Sequence, residues 1–179
     1  FSNRIYTVEI ENKEPWQIGN TYWKTTLGLD WLDSSRADVG NPNQQVYLDG
    51  KLMSRADMVR KVNSSREDWQ LHLGLNMYMP DSGIDWSNDV YIKAPIKGYE
   101  DIDDPLMGID RYRSYDYGSH VQWDSALRWQ SDIYNHRFYI QGNVLNVLNH
   151  VRKTHYPISS RDNAYTAGRE FWLKFAYEF

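Results

Sequence analysis

Five residues between positions 111 and 117 have the types and spacing of a binding patch: Tyr112, Tyr115 and Tyr117 interleave with Arg111 and Arg113. Guanidinium groups pair with anions and aromatic faces stack on planar groups, so this set suits an anionic, flat ligand. The same residues would serve equally in an interfacial aromatic girdle, with the basic side chains turned toward lipopolysaccharide phosphates. His150, His155 and Tyr156 offer a second set of ligand-contacting groups. The two histidines are five residues apart and no His-Glu-x-x-His or cysteine pair accompanies them. A metal site is therefore not expected, and solvated loop residues are the plainer reading. Asp101, Asp103 and Asp104 cluster, but their spacing does not complete an EF-hand loop, and a solvated acidic loop accounts for them. Catalysis would need a nucleophile and base, or paired carboxylates with a histidine, converging across elements. Asp124 and His120 share a strand phase, but no Gly-x-Ser-x-Gly or phosphate loop occurs. Neither enzyme activity nor a cofactor is expected.

The elements that would position these groups are strands. The 179 residues include 14 Tyr, 8 Trp and 5 Phe, yet mean hydropathy is -0.74 and no long apolar run exists. Helical spans need roughly 18 or more consecutive apolar residues, so they are excluded. The formal charge of -4 lacks the basic excess that binding nucleic acid requires, and no nucleic-acid partner is expected. Cysteine is absent, which decides little about compartment. No signal peptide opens the chain.

Alternation is clearest from Gly168 to Phe179, where Phe171, Leu173, Phe175, Tyr177 and Phe179 take one face and Glu170, Lys174 and Glu178 the other, with Trp172 on the polar side. From His120 to Ile133, Val121, Trp123, Leu127, Trp129 and Ile133 oppose Gln122, Asp124, Arg128, Gln130 and Asp132. Gln70–Met79 and Thr21–Trp31 repeat the pattern. Three weaker segments follow it: Tyr6, Val8 and Ile10; Val90, Ile92, Ala94 and Ile96, with Pro95 on the other phase; and Phe138, Ile140, Gly142 and Val144. This makes seven strands, of about the 9–11 residues that a tilted outer-membrane strand needs.

The connections alternate in length. Glu11–Asn20, Pro80–Ser87 and Tyr134-Asn135 are short, whereas Ser34–Trp69, Gly98–Gly118 and Asn149–Thr166 are long and polar. Outer-membrane barrels have that layout, with the short turns periplasmic. Within the longest loop, Ser54-Arg55-Ala56-Asp57 resembles a capping box ahead of Met58, Val59 and Val62 and predicts a small helix. Trp23, Trp31, Trp123 and Trp129 fall on outward phases and suit an aromatic girdle. If the last strand descends to the periplasm, the first of seven also descends, which conflicts with the even strand number of bacterial barrels. The expectation is a piece of a larger barrel that begins within an extracellular loop.

One stretch carries a family resemblance. Gly142-Asn143-Val144-Leu145-Asn146-Val147-Leu148-Asn149, the loop Val151–Ala167 and Gly168-Arg169-Glu170-Phe171 running to Phe179 resemble the C-terminal end of TonB-dependent outer-membrane receptors. Leu148 stands where that family usually has an aromatic, and Ala167-Gly168-Arg169 lacks its usual Pro. The resemblance implies an all-β fold: residues 1–179 would be an antiparallel transmembrane β-barrel segment, the C-terminal part of a plugged barrel of about 22 strands, with the plug outside this chain. It implies import of a scarce nutrient, an iron chelate (siderophore) or haem, which Arg111, Tyr112, Arg113, Tyr115, Tyr117, His150, His155 and Tyr156 would touch. It also implies energy from the TonB complex through an N-terminal region outside this chain, contact with lipid and lipopolysaccharide, and recognition of the strand ending at Phe179 by the barrel-assembly machinery. Two other readings compete: a self-contained small barrel acting as porin or structural protein, and a soluble β-sandwich or lipocalin-like binder, whose apolar phase would face inward.

Overall fold

A computed structural model describes residues 2–35, 40–61, 68–133, 136–155 and 163–178. In chain order the elements are β1 (Ser2–Glu11), β2 (Trp16–Ile18), β3 (Thr21–Ser35), β4 (Gln45–Leu48), β5 (Lys51–Ser54), α1 (Arg55–Lys61), β6 (Trp69–Met79), β7 (Ile84–Lys93), β8 (Ile96–Leu106), β9 (Ile109–Tyr117), β10 (His120–Ile133), β11 (His136–Leu145), β12 (Lys153–His155), β13 (Asn163–Tyr165) and β14 (Glu170–Glu178). The principal sheet runs β1-β3-β6-β7-β10-β11-β14, every pair antiparallel, with β2 hydrogen-bonded to the start of β3. Its seven long strands are those that the alternation predicts.

Register explains why the sheet has two chemically distinct faces. Directly paired residues share a face, so one residue of slip would turn a strand's apolar set over. Here Ile10, Leu27, Leu73, Val90 and Trp123 lie abreast on five strands, and Trp23, Met77, Trp86, Leu127, Gly142 and Leu173 form a parallel row. On the reverse face the rows read Glu11, Thr26, Gly74, Asp89, Asp124 and Tyr22, Tyr78, Asp85, Arg128, Gln141, Lys174. The apolar face holds its own polar atoms in pairs: Trp123 Nε1 donates to Asn88 Oδ1 at 3.1 Å, and Trp86 Nε1 donates to Ser125 Oγ at 3.1 Å. Asn88 and Ser125 are cross-strand neighbours, so two indoles meet at one polar spot, where Asn88 Nδ2 is buried with no hydrogen-bond partner among the described residues.

Much of the apolar face is bare, although Met77 within it is buried among its neighbours. Leu127 is 54% exposed, Phe171 71% and Leu173 66%. An apolar surface of this extent calls for a non-aqueous neighbour. A β-sandwich or lipocalin-like fold would bury that face, and among the described residues no element covers it. No helix among them is long and apolar enough to cross a membrane.

Neighbouring strands are antiparallel, so connections 36–68, 94–119 and 146–169 all leave from one end, and 12–20, 80–83 and 134–135 from the other. The 80–83 turn closes on Gly83, whose φ is +64° and whose Cα hydrogen side abuts the Gln130 carbonyl, leaving no room for a Cβ.

Two expectations need correction. The strand containing Val90 and Ile92 begins at Ile84 and stops at Lys93, because Pro95 cannot donate to the ladder; Ile96 instead opens a strand of another sheet. Gly98–Gly118 is a hairpin and not an irregular loop: β8 pairs with β9 across the Met107-Gly108 turn, and β4 joins β9 in parallel to give the sheet β5-β4-β9-β8. Charged cross-strand partners, Lys97 with Asp116 at 3.4 Å and Glu100 with Arg113 at 4.0 Å, occupy positions where apolar alternation would have advertised a strand. The small core of this sheet is Val46, Leu48, Met58 and Tyr112.

The predicted helix is present as α1. Ser54 Oγ accepts the Asp57 amide at 3.1 Å, which is the expected N-cap, and the hydroxyl donates to Asp57 Oδ2 at 2.7 Å, so the reciprocal bond runs through the hydroxyl; Val62 lies outside the described residues. Ser54→Ala should destabilise this subdomain by about 1 kcal/mol, measured as faster amide exchange over 45–61 with exchange in β10 unchanged.

Candidate functional site

Side chains alternate along β9, and this divides the predicted patch. Arg111, Arg113, Tyr115 and Tyr117 project to one side, while Tyr112 turns to the other. Tyr112 is only 7% exposed and meets Tyr99 edge to face at 5.3 Å, so it is a core residue and not a ligand contact. Burial pushes its phenol above the usual tyrosine range.

On the open side the Tyr115 and Tyr117 rings stack at 4.9 Å with 19° between planes. Tyr115 lies across Gly98, whose missing side chain makes room for the ring. Lys153 Nζ sits 5.6 Å from the Tyr117 ring centre. Burial, followed by the charge of Glu100, raises the Tyr117 phenol as well, so it stays neutral at physiological pH. A cleft of about 340 Å³ adjoins Tyr115, lined by Leu48 and Met53, by Lys51, Lys61 and Lys97, and by the carboxylates of Asp49 and Asp116, the latter paired with Lys97 at 3.4 Å. Stacked rings beside cations can hold a flat anion by dispersion and charge.

The turn at Asp49-Gly50 fixes this cleft to β9. Asp49, at a φ of +50°, accepts from the Ser114 hydroxyl at 2.6 Å and the Ser114 amide at 2.9 Å. These bonds, the hydroxyl's first, hold the Asp49 carboxyl below the usual carboxylate range. A depressed folded value makes the anchoring complete above about pH 4 and lost as pH falls through that lower value. Acid titration should therefore release the 49–51 turn, seen as faster amide exchange at Ser114, and Asp49→Asn should flatten that pH dependence.

The second predicted set lies elsewhere. His150 is exposed, and its Nδ1 accepts the Val121 amide at 3.2 Å, which fastens it to the head of β10. The backbone of His155 belongs to β12; its side chain, Tyr156, and the side chains of Asp103 and Asp104 fall outside the described residues, as does Phe179. Four members of the first set therefore share one side of β9, while His150 is fastened to the head of β10.

Asn146, from the Asn-rich segment that carries the resemblance, and Arg152, which was not singled out in the sequence, organise this end. Asn146, 3% exposed at a φ of +51°, donates from Nδ2 to the carbonyls of Ala167 at 2.9 Å and His150 at 3.2 Å, while its Oδ1 accepts the His150 amide at 3.0 Å. Asn149, at a φ of +52°, accepts the Arg169 amide at 3.0 Å. The two asparagines of Asn146-Val147-Leu148-Asn149 thus bind the last excursion to the residues around Gly168-Arg169, which gives a physical reason for those two pieces of text to occur together. The spacing of the asparagines was the available signal.

The polar face of the principal sheet carries separate contacts. His72 Nε2 lies 2.9 Å from Asp89 Oδ1, and its ring stacks on Tyr91 at 4.6 Å; Arg128 lies over Tyr139 at 4.4 Å and Lys174 at 5.5 Å. Among the described residues no group of three or more His, Cys, Asp or Glu could hold a metal ion.

No family model matches the chain, and no curated protein matches it. A solved structure does: the crystal structure of the outer membrane transporter YddB from Escherichia coli superposes with a TM-score of 0.71 at 17% identity, covering 98% of this chain and 25% of that one. The chain thus spans about a quarter of the length of the structure it matches, and the shared feature is the fold: an all-β, antiparallel segment of a barrel wall.

Proposed function

We propose that this chain is wall and outer surface of a TonB-dependent receptor in the Gram-negative outer membrane, one that imports an iron chelate or haem. The observation that carries the reading is the register, which keeps a bare apolar face continuous over seven strands while all long connections gather at one end. That arrangement fits a wall facing lipid, with the structured excursions outside the cell. Support for import comes from the name of the YddB structure, an outer membrane transporter, and from the C-terminal text that resembles the receptor family. The open edges of β1 and β14 fit a wall completed by further strands of the same barrel. Arg111, Arg113, Tyr115 and Tyr117 would contact the cargo, energy would come from the TonB complex, and lipid, lipopolysaccharide and the barrel-assembly machinery would be the other partners.

Growth tests the reading. A strain lacking the complete protein should fail on one iron chelate or on haem as sole iron source and recover when the gene is restored. Unimpaired growth of the deletion strain on every iron-chelate and haem source would sink the import role while leaving the barrel intact.

A further inference from the structure

The small ladder of the last excursion brings two further side chains to the stack of Tyr115 and Tyr117. Lys153 on β12 and Tyr165 on β13 are direct cross-strand partners, so both lie on one face of that ladder. Lys153 fixes where the face looks, because its Nζ lies 5.6 Å from the Tyr117 ring centre. Tyr165 acts on the same ring: the Tyr117 phenol is raised by burial first, then by Glu100 and then by Tyr165. Two excursions therefore meet at Tyr117, with Tyr115 stacked on it from β9 and Lys153 and Tyr165 approaching from β12 and β13. Glu100 is paired with Arg113 at 4.0 Å, whereas no carboxylate among the described residues pairs with Lys153. Its ammonium keeps its charge for an incoming anion.

Arg152 sets the spacing between the two halves. Its Nη1 donates to the Gly118 carbonyl at 3.1 Å and to the Ala94 carbonyl at 2.9 Å. Its amide donates to Thr166 Oγ1 at 2.9 Å, and the Thr166 amide donates to its carbonyl at 2.9 Å. The neighbour of Lys153 is thus bonded both to the neighbour of Tyr117 and to the neighbour of Tyr165. At 6% exposed, Arg152 is a buried tie and is not itself open to a ligand.

We propose that Lys153 and Tyr165 are ligand-contacting residues of a composite site shared with Tyr115 and Tyr117, and that Arg152 is the positioning residue that holds its halves in register. The ligand class is a flat aromatic ring with an anionic group at its edge: the ring lies against tyrosine faces and the anion meets the Lys153 ammonium. The proposal rests on the import reading and narrows its cargo, since an iron chelate without a ring would gain the charge alone.

Equilibrium dialysis of iron against the complete protein in detergent micelles tests it, after subtraction of empty micelles. The probes are an iron(III) catecholate complex, haemin and iron(III) citrate, the last having no ring. One ring-bearing probe should bind at least about tenfold more tightly than citrate. For that probe Lys153→Met and Tyr165→Leu should each weaken binding about five- to tenfold, while Lys153→Arg stays within about twofold. Arg152→Met should weaken it as much as Lys153→Met and Tyr165→Leu combined, and should cost nothing further when added to that pair, because the groups it positions are already gone. A merely structural role would add its own loss. Arg152→Lys, whose ammonium can donate to both carbonyls, should recover most of the affinity. If Arg152→Met does not fold, the Lys153 and Tyr165 variants decide. Unchanged affinity in both of them overturns the composite site, and citrate binding as tightly as the ring-bearing probes overturns the ligand class; either result leaves import of an iron chelate standing. No binding of any probe overturns the proposal and the import reading together.

Discussion

Leu127→Arg should lower the unfolding free energy of the complete protein in lipid bilayers by about 2–4 kcal/mol, the cost of a cation near the middle of a lipid-facing strand. Leu127 sits in the centre of β10, abreast of Trp86 and Gly142 on the apolar face, and is already half exposed, so no packing explains a large loss. Ser87→Arg is the control. Ser87 lies on the opposite face, abreast of Asn76 and Lys24, where the new side chain joins polar neighbours, and its change should stay within about 0.5 kcal/mol. Urea titration in vesicles with a tryptophan fluorescence readout measures both. Equal effects at the two positions would mean that the faces do not differ in solvent, and the membrane reading would fall.

Asn146→Ala should cost about 3–4 kcal/mol. Three hydrogen bonds made by a buried side chain disappear at about 1 kcal/mol each, and a left-handed backbone that asparagine tolerates becomes strained by about 1 kcal/mol more. Asn146→Gly removes the same bonds without the strain and should cost about 1 kcal/mol less than alanine. The measurement is thermal unfolding together with protease cleavage in the 150–168 connection. If alanine and glycine are both neutral, the clamp between the last excursion and β14 contributes nothing.

These expected effects differ in how visible they were beforehand. Leu127 advertises itself, because alternation of Val121, Trp123, Leu127 and Trp129 against Gln122, Asp124 and Arg128 is a local property that survives without any knowledge of partners. The capping box at Ser54 and Asp57 was equally local. Tyr112 was not separable from Tyr115 and Tyr117 by residue type, and only the strand phase of β9 together with Val46, Leu48 and Met58 decided that it points inward. The β8–β9 hairpin escaped notice because its cross-strand partners are ion pairs such as Lys97 with Asp116, whose pattern reads as a polar loop until the two strands are aligned. Arg152 carried no signal, since its partners are carbonyls 34 and 58 residues away.

Residue order alone determined the seven wall strands, their two faces and the alternation of short and long connections, because each follows from a two-residue period and from turn residues close in the chain. Tertiary structure alone decided that the described parts of the long connections are folded, that Arg111, Arg113, Tyr115 and Tyr117 share one side of β9, and that two excursions meet at Arg152. Those features depend on hydrogen bonds between residues distant in sequence, which leave no periodic trace in the chain that makes them.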